Sequence, residues 1–474
     1  METKLKRITA LLTSAMALLL PFAATADWFD DIRDGDDQEA LYRTLYYMPK
    51  GGDLHNHLSG AVFAEWWYKL ALAQQERGYE YYTKVRISNC RDFGGNAFTF
   101  APYFLLFRNI SALEYAQLDE CEKGEYKRLA DLDDREKSAW MNSIRLDKPH
   151  EGREEFFQTH WQRLNALARN PWLQAEAMVK NLQAYAAEGM AYVEYQIGDG
   201  PYEGPDGELI DGPQAFDILR ETLARKDVRD LGVTVRFQLP ILRFLPNAED
   251  QLRRVYKLVH ENPDLLVAVN MVGREDNDKG YPARFLPTLR ELRQQYSGVR
   301  LSIHAGEVDE PNEHVRDTLL LGADRIGHGL NLISDDDTML LMRHGPYLVE
   351  INLISNLLLE YVNDYSEHPF PEYLRTGIPV ALSSDDRGMW DSTMTDEFYV
   401  AATEFKLSWE EIKTLGRNSL EHAFVSQESK EQLLREYNER ILRFERQMQR
   451  SGIAQLGPMP ETRSFVCNRY GLCQ

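Results

Sequence analysis

From about residue 190 the chain alternates between two kinds of stretch. Short apolar runs rich in β-branched residues end in polar residues or glycine, and longer runs with helical spacing separate them. The apolar runs fall at 190–198, 233–239, 265–273, 300–307, 325–329, 347–356 and 379–386, with an eighth at 51–57. Near-continuous apolar strands joined by helices describe a parallel sheet covered on both faces. Eight strand–helix units predict a (β/α)8 TIM barrel, an α/β fold. A doubly wound open sheet is the other arrangement this spacing allows. Between the strands, residues 171–188 place Leu173, Ala177, Leu182 and Tyr185 at helical spacing, with Pro171 in the first turn and Gly189 as a stop. The interval of roughly 60–170 is expected to be a helical insertion after the first strand. Its highly charged middle, 119–137, fits a solvated helix or loop.

The first 26 residues follow a different pattern. Lys4, Lys6 and Arg7 precede an apolar run over 8–22, and Ala24-Thr25-Ala26 follows it. This is the layout of a secretory signal peptide, and the run is short for a membrane span. The expectation is a leader at 1–26, a single barrel domain over 27–474, and a periplasmic or secreted protein. Cys90, Cys121, Cys467 and Cys473 all follow the leader. An even count in an exported chain favours disulfides, and Cys90–Cys121 with Cys467–Cys473 closes the shortest loops. The second pair would staple the C-terminal tail.

Composition narrows the function. The chain has 474 residues, 43% of them hydrophobic, which is ample for a packed core and excludes global disorder. Asp and Glu number 75 against 54 Lys and Arg, a formal net charge of −21. Such a surface repels nucleic-acid polymers and anionic lipid, but does not exclude a small purine or pyrimidine in a pocket.

Unusual polar residues gather where the strands end. The first strand closes on Asp53-Leu54-His55-Asn56-His57, and residues two apart on a strand face the same way. His55 and His57 together suit a divalent transition metal, although two hydrogen-bonded core histidines would give the same pattern. The fifth strand ends in Ser302-Ile303-His304-Ala305-Gly306-Glu307, the sixth in Arg325-Ile326-Gly327-His328-Gly329, and the eighth in Ser383-Ser384-Asp385-Asp386. Two adjacent carboxylates closing an apolar strand are costly unless paired or metal-bound. In a barrel all four segments share the C-terminal face, where such barrels keep their chemistry. Three histidines, a carboxylate ligand and a nearby glutamate outline a hydrolytic zinc site. His150, His160, His260, His314, His344, His368 and His422 have no such context and are expected to be surface or satisfied residues.

These segments resemble the adenosine deaminase family of the metal-dependent amidohydrolases. The resemblance is carried by the run from Pro49 to Leu58, His304-Ala305-Gly306-Glu307, Arg325-Ile326-Gly327-His328-Gly329 and Ser384-Asp385-Asp386, with weaker echoes from Glu350 to Asn356 and at Asn418-Ser419-Leu420. It implies one zinc ion per subunit, held by His55, His57, His304 and Asp385. It implies that Glu307 protonates the purine N1, that His328 orients the attacking water and helps take its proton, and that Asp386 holds N7. Gly273 would give a backbone contact to the ring. The expected activity is hydrolysis of adenosine, and of 2′-deoxyadenosine, to the 6-oxo purine and ammonia. A leader combined with an insertion is also similar to the extracellular adenosine deaminase-related growth factors, and is compatible with a homodimer.

Three departures from the family pattern stand out. Ser59 occupies the place of an aspartate that contacts ribose in the family, so adenine, AMP, a modified adenosine or another aminated heterocycle are alternative substrates. Gln196 stands where arginine is frequent. Arg387-Gly388-Met389 replaces the usual proline after the aspartate pair. A secreted binding protein with a decayed site is a further alternative, opposed by the intact set of candidate residues. The H-x-E and P-C-x-x-C elements of cytidine-deaminase-type zinc enzymes are absent.

Overall fold

The computed structural model describes residues 27–90, 104–308, 310 and 312–473. The expected leader at 1–26 lies outside the described residues.

Eight parallel strands follow one another in chain order: β1 (Gly51–His57), β2 (Met190–Gln196), β3 (Thr234–Leu242), β4 (Leu266–Val272), β5 (Arg300–Ala305), β6 (Arg325–His328), β7 (Leu348–Ile351) and β8 (Val380–Leu382). A parallel bridge between Asn56 and Asp385 brings the last strand back to the first. There His57 N–H donates to Asp385 O at 3.2 Å and Asp385 N–H donates to His55 O at 2.9 Å. The barrel, not the open sheet, is therefore the architecture. All seven residues of β2 are buried, as a strand covered on both faces requires. The expected run at 347–356 is divided: it is strand only to Ile351, and Leu353–Leu358 is helical. The Glu397 carboxylate accepts the first N–H groups of that helix, from Leu353 at 3.0 Å and Ile354 at 3.2 Å. The helix before β2 runs from Pro171 to Ala187; Asn170 caps its start and Gly189 turns away from its end at φ +86°.

The insertion departs from the all-helical expectation. It contains helices at Ala64–Ala73 and Asp134–Asn142, but also a three-stranded antiparallel sheet of Tyr81–Lys84, Asn109–Ser111 and Tyr126–Arg128. The charged stretch 119–137 supplies one of these strands. Three-residue strands are too short to show period-two alternation, so the pattern could not reveal them. The disulfide Cys90–Cys121 lies beside this sheet, and Cys467–Cys473 closes the last turn of the tail. The tail docks onto the insertion: Arg463 pairs with Glu65 at 2.6 Å and with Asp391 at 2.9 Å, and sits over the Phe63 ring.

The last part of the insertion is a continuous helix over 153–168. Its middle, Phe156–His160, is π-helical, a local widening that is frequent at functional sites. It carries Phe156, Phe157 and Trp161 over the mouth of the barrel.

Candidate metal centre and adjoining pocket

His55, His57, His304 and Asp385 converge at the C-terminal end of the barrel. One ligand atom from each lies within 4.8 Å of all the others. Asp385 Oδ1 is 3.4 Å from His55 Nε2 and 3.2 Å from His57 Nε2, and His304 Nε2 is 3.3 Å from His57 Nε2. Donors held by one tetrahedral ion with bonds of about 2.0–2.1 Å stand roughly 3.3 Å apart. The buried Nε2 of His55 also has no hydrogen-bond partner. An N3O donor set at these separations therefore fits a zinc-type ion.

The tautomers of two of these histidines are set from behind, and both paths begin at Arg325. The buried guanidinium pairs with Glu350 at 2.6 Å and with Glu194 at 2.5 Å. Along the first path, Glu350 Oε2 stands 2.9 Å from His55 Nδ1, so that nitrogen carries the proton and Nε2 is bare. Along the second, Gln238 Nε2 donates to Glu194 Oε2 at 2.8 Å. Asn270 Nδ2 then donates to Gln238 Oε1 at 2.9 Å. Asn270 Oδ1 is left to accept from His304 Nδ1 at 2.8 Å, which leaves His304 Nε2 bare as well. Asp53, on the same strand as His55, is held by Tyr185 at 2.7 Å and Ser384 at 2.6 Å.

Glycine is required where side chains crowd the cluster. A Cβ on Gly327 would lie 2.7 Å from His55 Cε1, and one on Gly60 would lie 1.6 Å from Asp386 Oδ1. Two non-glycine residues of the site, His328 at φ +64° and Asp385 at φ +52°, adopt left-handed backbone. Such strain costs about 1–3 kcal/mol and gathers at functional sites.

Glu307 and Asp386 complete the acidic side of the site. Burial, reinforced by the charges of Asp385 and Glu275, pushes the Glu307 carboxyl well above its ordinary range. Burial, then Asp385 and Glu307, does the same to Asp386. The Glu307 N–H donates to Glu275 Oε2 at 2.6 Å, which fixes the loop after β5. His314 Nδ1 approaches the other oxygen of Glu275 at 3.1 Å. His328 Nε2 is 3.7 Å from Glu307 Oε1, and burial and neighbouring His55 lower its pKa.

A cavity of about 370 Å³ opens beside the cluster. His57, His304, Glu307, Asp385 and Asp386 line its floor, and Gly273 lines one side. Phe156, Trp161, Leu242 and Phe244 are among the residues of its apolar walls, and Gln162 and Asn165 add neutral polar groups. Among the described residues no Lys or Arg lines it. Arg243 lies behind, donating to His304 O at 2.8 Å and facing Glu275 at 3.4 Å.

Of the residues singled out from sequence, the structure brings His55, His57, His304, Glu307, His328, Asp385, Asp386 and Gly273 together, and it does not bring in Ser59. The Ser59 hydroxyl is 3.3 Å from Gln174 Oε1 and lines a neighbouring cavity, which shares only Asn165 with the first. The departure at Arg387 is structural: the buried guanidinium pairs with Glu188 at 3.1 Å and lies over the Tyr185 ring. Residues that the sequence did not mark as partners include Glu350, Asn270, Asn356 and His368. A lone carboxylate within Leu348-Val349-Glu350-Ile351 and a lone amide within Val269-Asn270-Met271 were the available signals.

Comparison with known proteins accords with this geometry. The sequence profile described as adenosine deaminase matches residues 126–440. Adenosine deaminase from Enterococcus faecalis is 30% identical over 267 residues, covering 55% of this chain and 74% of that one. Adenosine deaminase from Clostridium perfringens is 34% identical over 184 residues, covering 38% and 54%; this chain thus spans about half the length of that relative. Among solved structures, adenine deaminase from Arthrobacter aurescens superposes with a TM-score of 0.58 at 19% identity over 82% of this chain and 98% of that one. An N6-methyl-AMP deaminase from Arabidopsis thaliana gives 0.60 at 19% over 84% and 98%. An amidohydrolase from Burkholderia ambifaria with bound zinc gives 0.60 at 18% over 85% and 94%. The structural likenesses speak for the shared barrel, whereas the profile spans well over half of the chain: the chain belongs to the adenosine deaminase family and is a hydrolytic deaminase.

Proposed function

We propose that this protein deaminates adenosine, and 2′-deoxyadenosine, to the 6-oxo nucleoside and ammonia, with zinc as its metal and outside the cytoplasm. The observation that carries this reading is the four-donor cluster beside an apolar cavity, with two carboxyls, Glu307 and Asp386, buried next to it. His55, His57, His304 and Asp385 would hold the ion. When bound, such an ion lowers the pKa of a coordinated water toward 7 and supplies a nucleophile at neutral pH.

The chain's own residues do the rest. Glu307, kept protonated by burial, gives a proton to the ring nitrogen N1, which makes the neighbouring C6 electrophilic. Asp386, whose carboxyl burial also shifts toward the acid form, holds N7. His328 faces the oxygen that adds to C6. The aromatic and aliphatic walls exclude water and hold the flat base. Gln162 and Asn165 are the neutral polar residues of the cavity lining, whereas the Ser59 hydroxyl is turned toward Gln174.

The cavity also favours an uncharged nucleoside over its phosphate. A phosphate entering it would find no lysine or arginine counter-charge among the described residues that line it. Export is supported by the leader-like N-terminus and by two disulfides in the fold.

The test is turnover by the zinc-loaded protein of adenosine, 2′-deoxyadenosine, adenine, AMP and N6-methyl-AMP, followed by ultraviolet absorbance and ammonia release. The expected order places kcat/KM for adenosine at least about tenfold above that for AMP, a difference of about 1.4 kcal/mol. Preference for AMP or adenine would replace the nucleoside reading, and no turnover of any member would overturn it. Cell fractionation checks the compartment.

A further inference from the structure

Three hydrogen bonds behind His328 run in a single direction. They begin at the backbone, where Phe370 N–H donates to His368 Nδ1 at 3.1 Å. A backbone amide can only donate, so Nδ1 of His368 accepts and the proton of the neutral ring sits on Nε2. That nitrogen lies 3.1 Å from Asn356 Oδ1 and donates to it. The amide of Asn356 is thereby oriented, and its Nδ2 faces His328 Nδ1 at 2.9 Å. An amide nitrogen only donates, so His328 Nδ1 accepts, and neutral His328 carries its proton on Nε2. A second amide nitrogen, Asn352 Nδ2, stands 3.3 and 3.4 Å from the two ring nitrogens and favours neither.

The chain of bonds is closed to solvent. His328, Asn352 and Asn356 are fully buried and His368 is 3% exposed. The backbone of Asn356 is pinned too, since its carbonyl accepts from Tyr361 N–H at 3.0 Å and Val362 N–H at 3.3 Å. The His368 ring stands edge-on to Phe370 and Phe405, and burial pushes its pKa down to about 3, so it stays neutral.

We propose that His368 and Asn356 are positioning residues that fix His328 as its Nε2–H tautomer, so that the face it turns to the metal cluster is a hydrogen-bond donor. His304 and His55 are fixed the opposite way, with Nε2 bare. Two rings 5.3 Å apart, His304 and His328, are thus sorted by their hidden partners into a ligand and a donor. In this form His328 donates to the oxygen that adds at C6 and cannot take a proton at Nε2, unlike the base role that the family resemblance implies. This role rests on the proposed hydrolytic centre, whereas the tautomer assignment does not.

The test is a long-range 1H–15N correlation spectrum of the zinc-loaded protein labelled with 15N-histidine, with His328 assigned by its loss in His328→Gln. The expected pattern is a pyrrole-like Nε2 and a pyridine-like Nδ1. Asn356→Asp, whose carboxylate must accept from Nδ1–H, should invert that pattern. It should also lower kcat about 10–100-fold, with KM within about threefold and zinc content unchanged. His368→Gln, which keeps a donor toward Asn356, should hold the wild-type pattern, and His368→Leu should mix the two tautomers. A proton on Nδ1 in the wild type overturns the proposal, as does an Asn356→Asp protein that inverts the tautomer and keeps its kcat. If Asn356→Asp does not fold, the wild-type spectrum and the two His368 variants decide. A correct tautomer in a protein that turns over no aminopurine would count against the proposed function and leave the assignment standing.

Discussion

His304 Nδ1 lies 2.8 Å from Oδ1 of Asn270, and that contact decides which nitrogen of His304 faces the cluster. The oxygen of Asn270 is in turn placed by Gln238 and the ion-paired Glu194. Asn270→Leu should keep the barrel and lose the orientation. The expected outcome is a loss of about 10–100-fold in zinc affinity, read by competition with a chelator of known affinity. An unchanged affinity would show that the ring needs no partner.

Glu307→Gln separates proton donation from metal binding. Zinc content should hold while kcat falls roughly 10²–10⁴-fold, the usual share of one acid–base group. The same residue sets a pH limb. Its pKa is raised by burial, then by Asp385 and Glu275, so the required acid form persists above the ordinary carboxyl range and is lost as pH rises through the raised value. The kcat profile of the wild type should therefore fall on the alkaline side, and the residual rate of Glu307→Gln should lack that fall.

Gly327→Ala probes crowding behind His55, one of the four residues that would hold the ion. The new Cβ would stand 2.7 Å from His55 Cε1, closer than unstrained contacts allow, so the ring must shift. Because His55 is fully buried and pinned by Glu350, the shift should displace Nε2 from the cluster. The expected result is loss of most bound zinc in metal analysis, with a circular-dichroism spectrum like that of the wild type.

Arg325→Leu should act on stability first. Glu194 and Glu350 are both fully buried and both pair with this guanidinium, so its removal leaves buried carboxylates without their counter-charge. Breaking such a pair costs about 3–5 kcal/mol, measurable as a lower midpoint in urea denaturation. A midpoint within error of the wild type would mean that the two carboxyls take up protons at little cost.

The strand pattern marked strands such as Met190–Gln196 because they are covered on both faces, which forces near-continuous apolar runs; Gly51–His57 is nearly as buried but carries a single apolar side chain, Leu54. Inside the insertion the three-residue strands left no such mark. The polar ends of the strands located the acidic and histidine motifs, but Ser59, two residues past His57, turns toward Gln174 rather than the cavity. Side-chain direction just beyond a strand depends on the loop path, which one sequence does not fix.

By itself, the sequence determined the strand–helix alternation, the H-x-H pair and the carboxylate-terminated strands, because periodicity and the cost of burying charge are local. Only the tertiary structure decided what stands behind each ring. Asn270 and His304 are 34 residues apart, Glu350 and His55 are 295 apart, and His368 reaches His328 through Asn356. Closing the barrel brings these groups within hydrogen-bond distance, and in a buried site each donor must then meet an acceptor. That requirement selects the tautomers, and with them the ligand and donor roles, which no spacing along the chain can state.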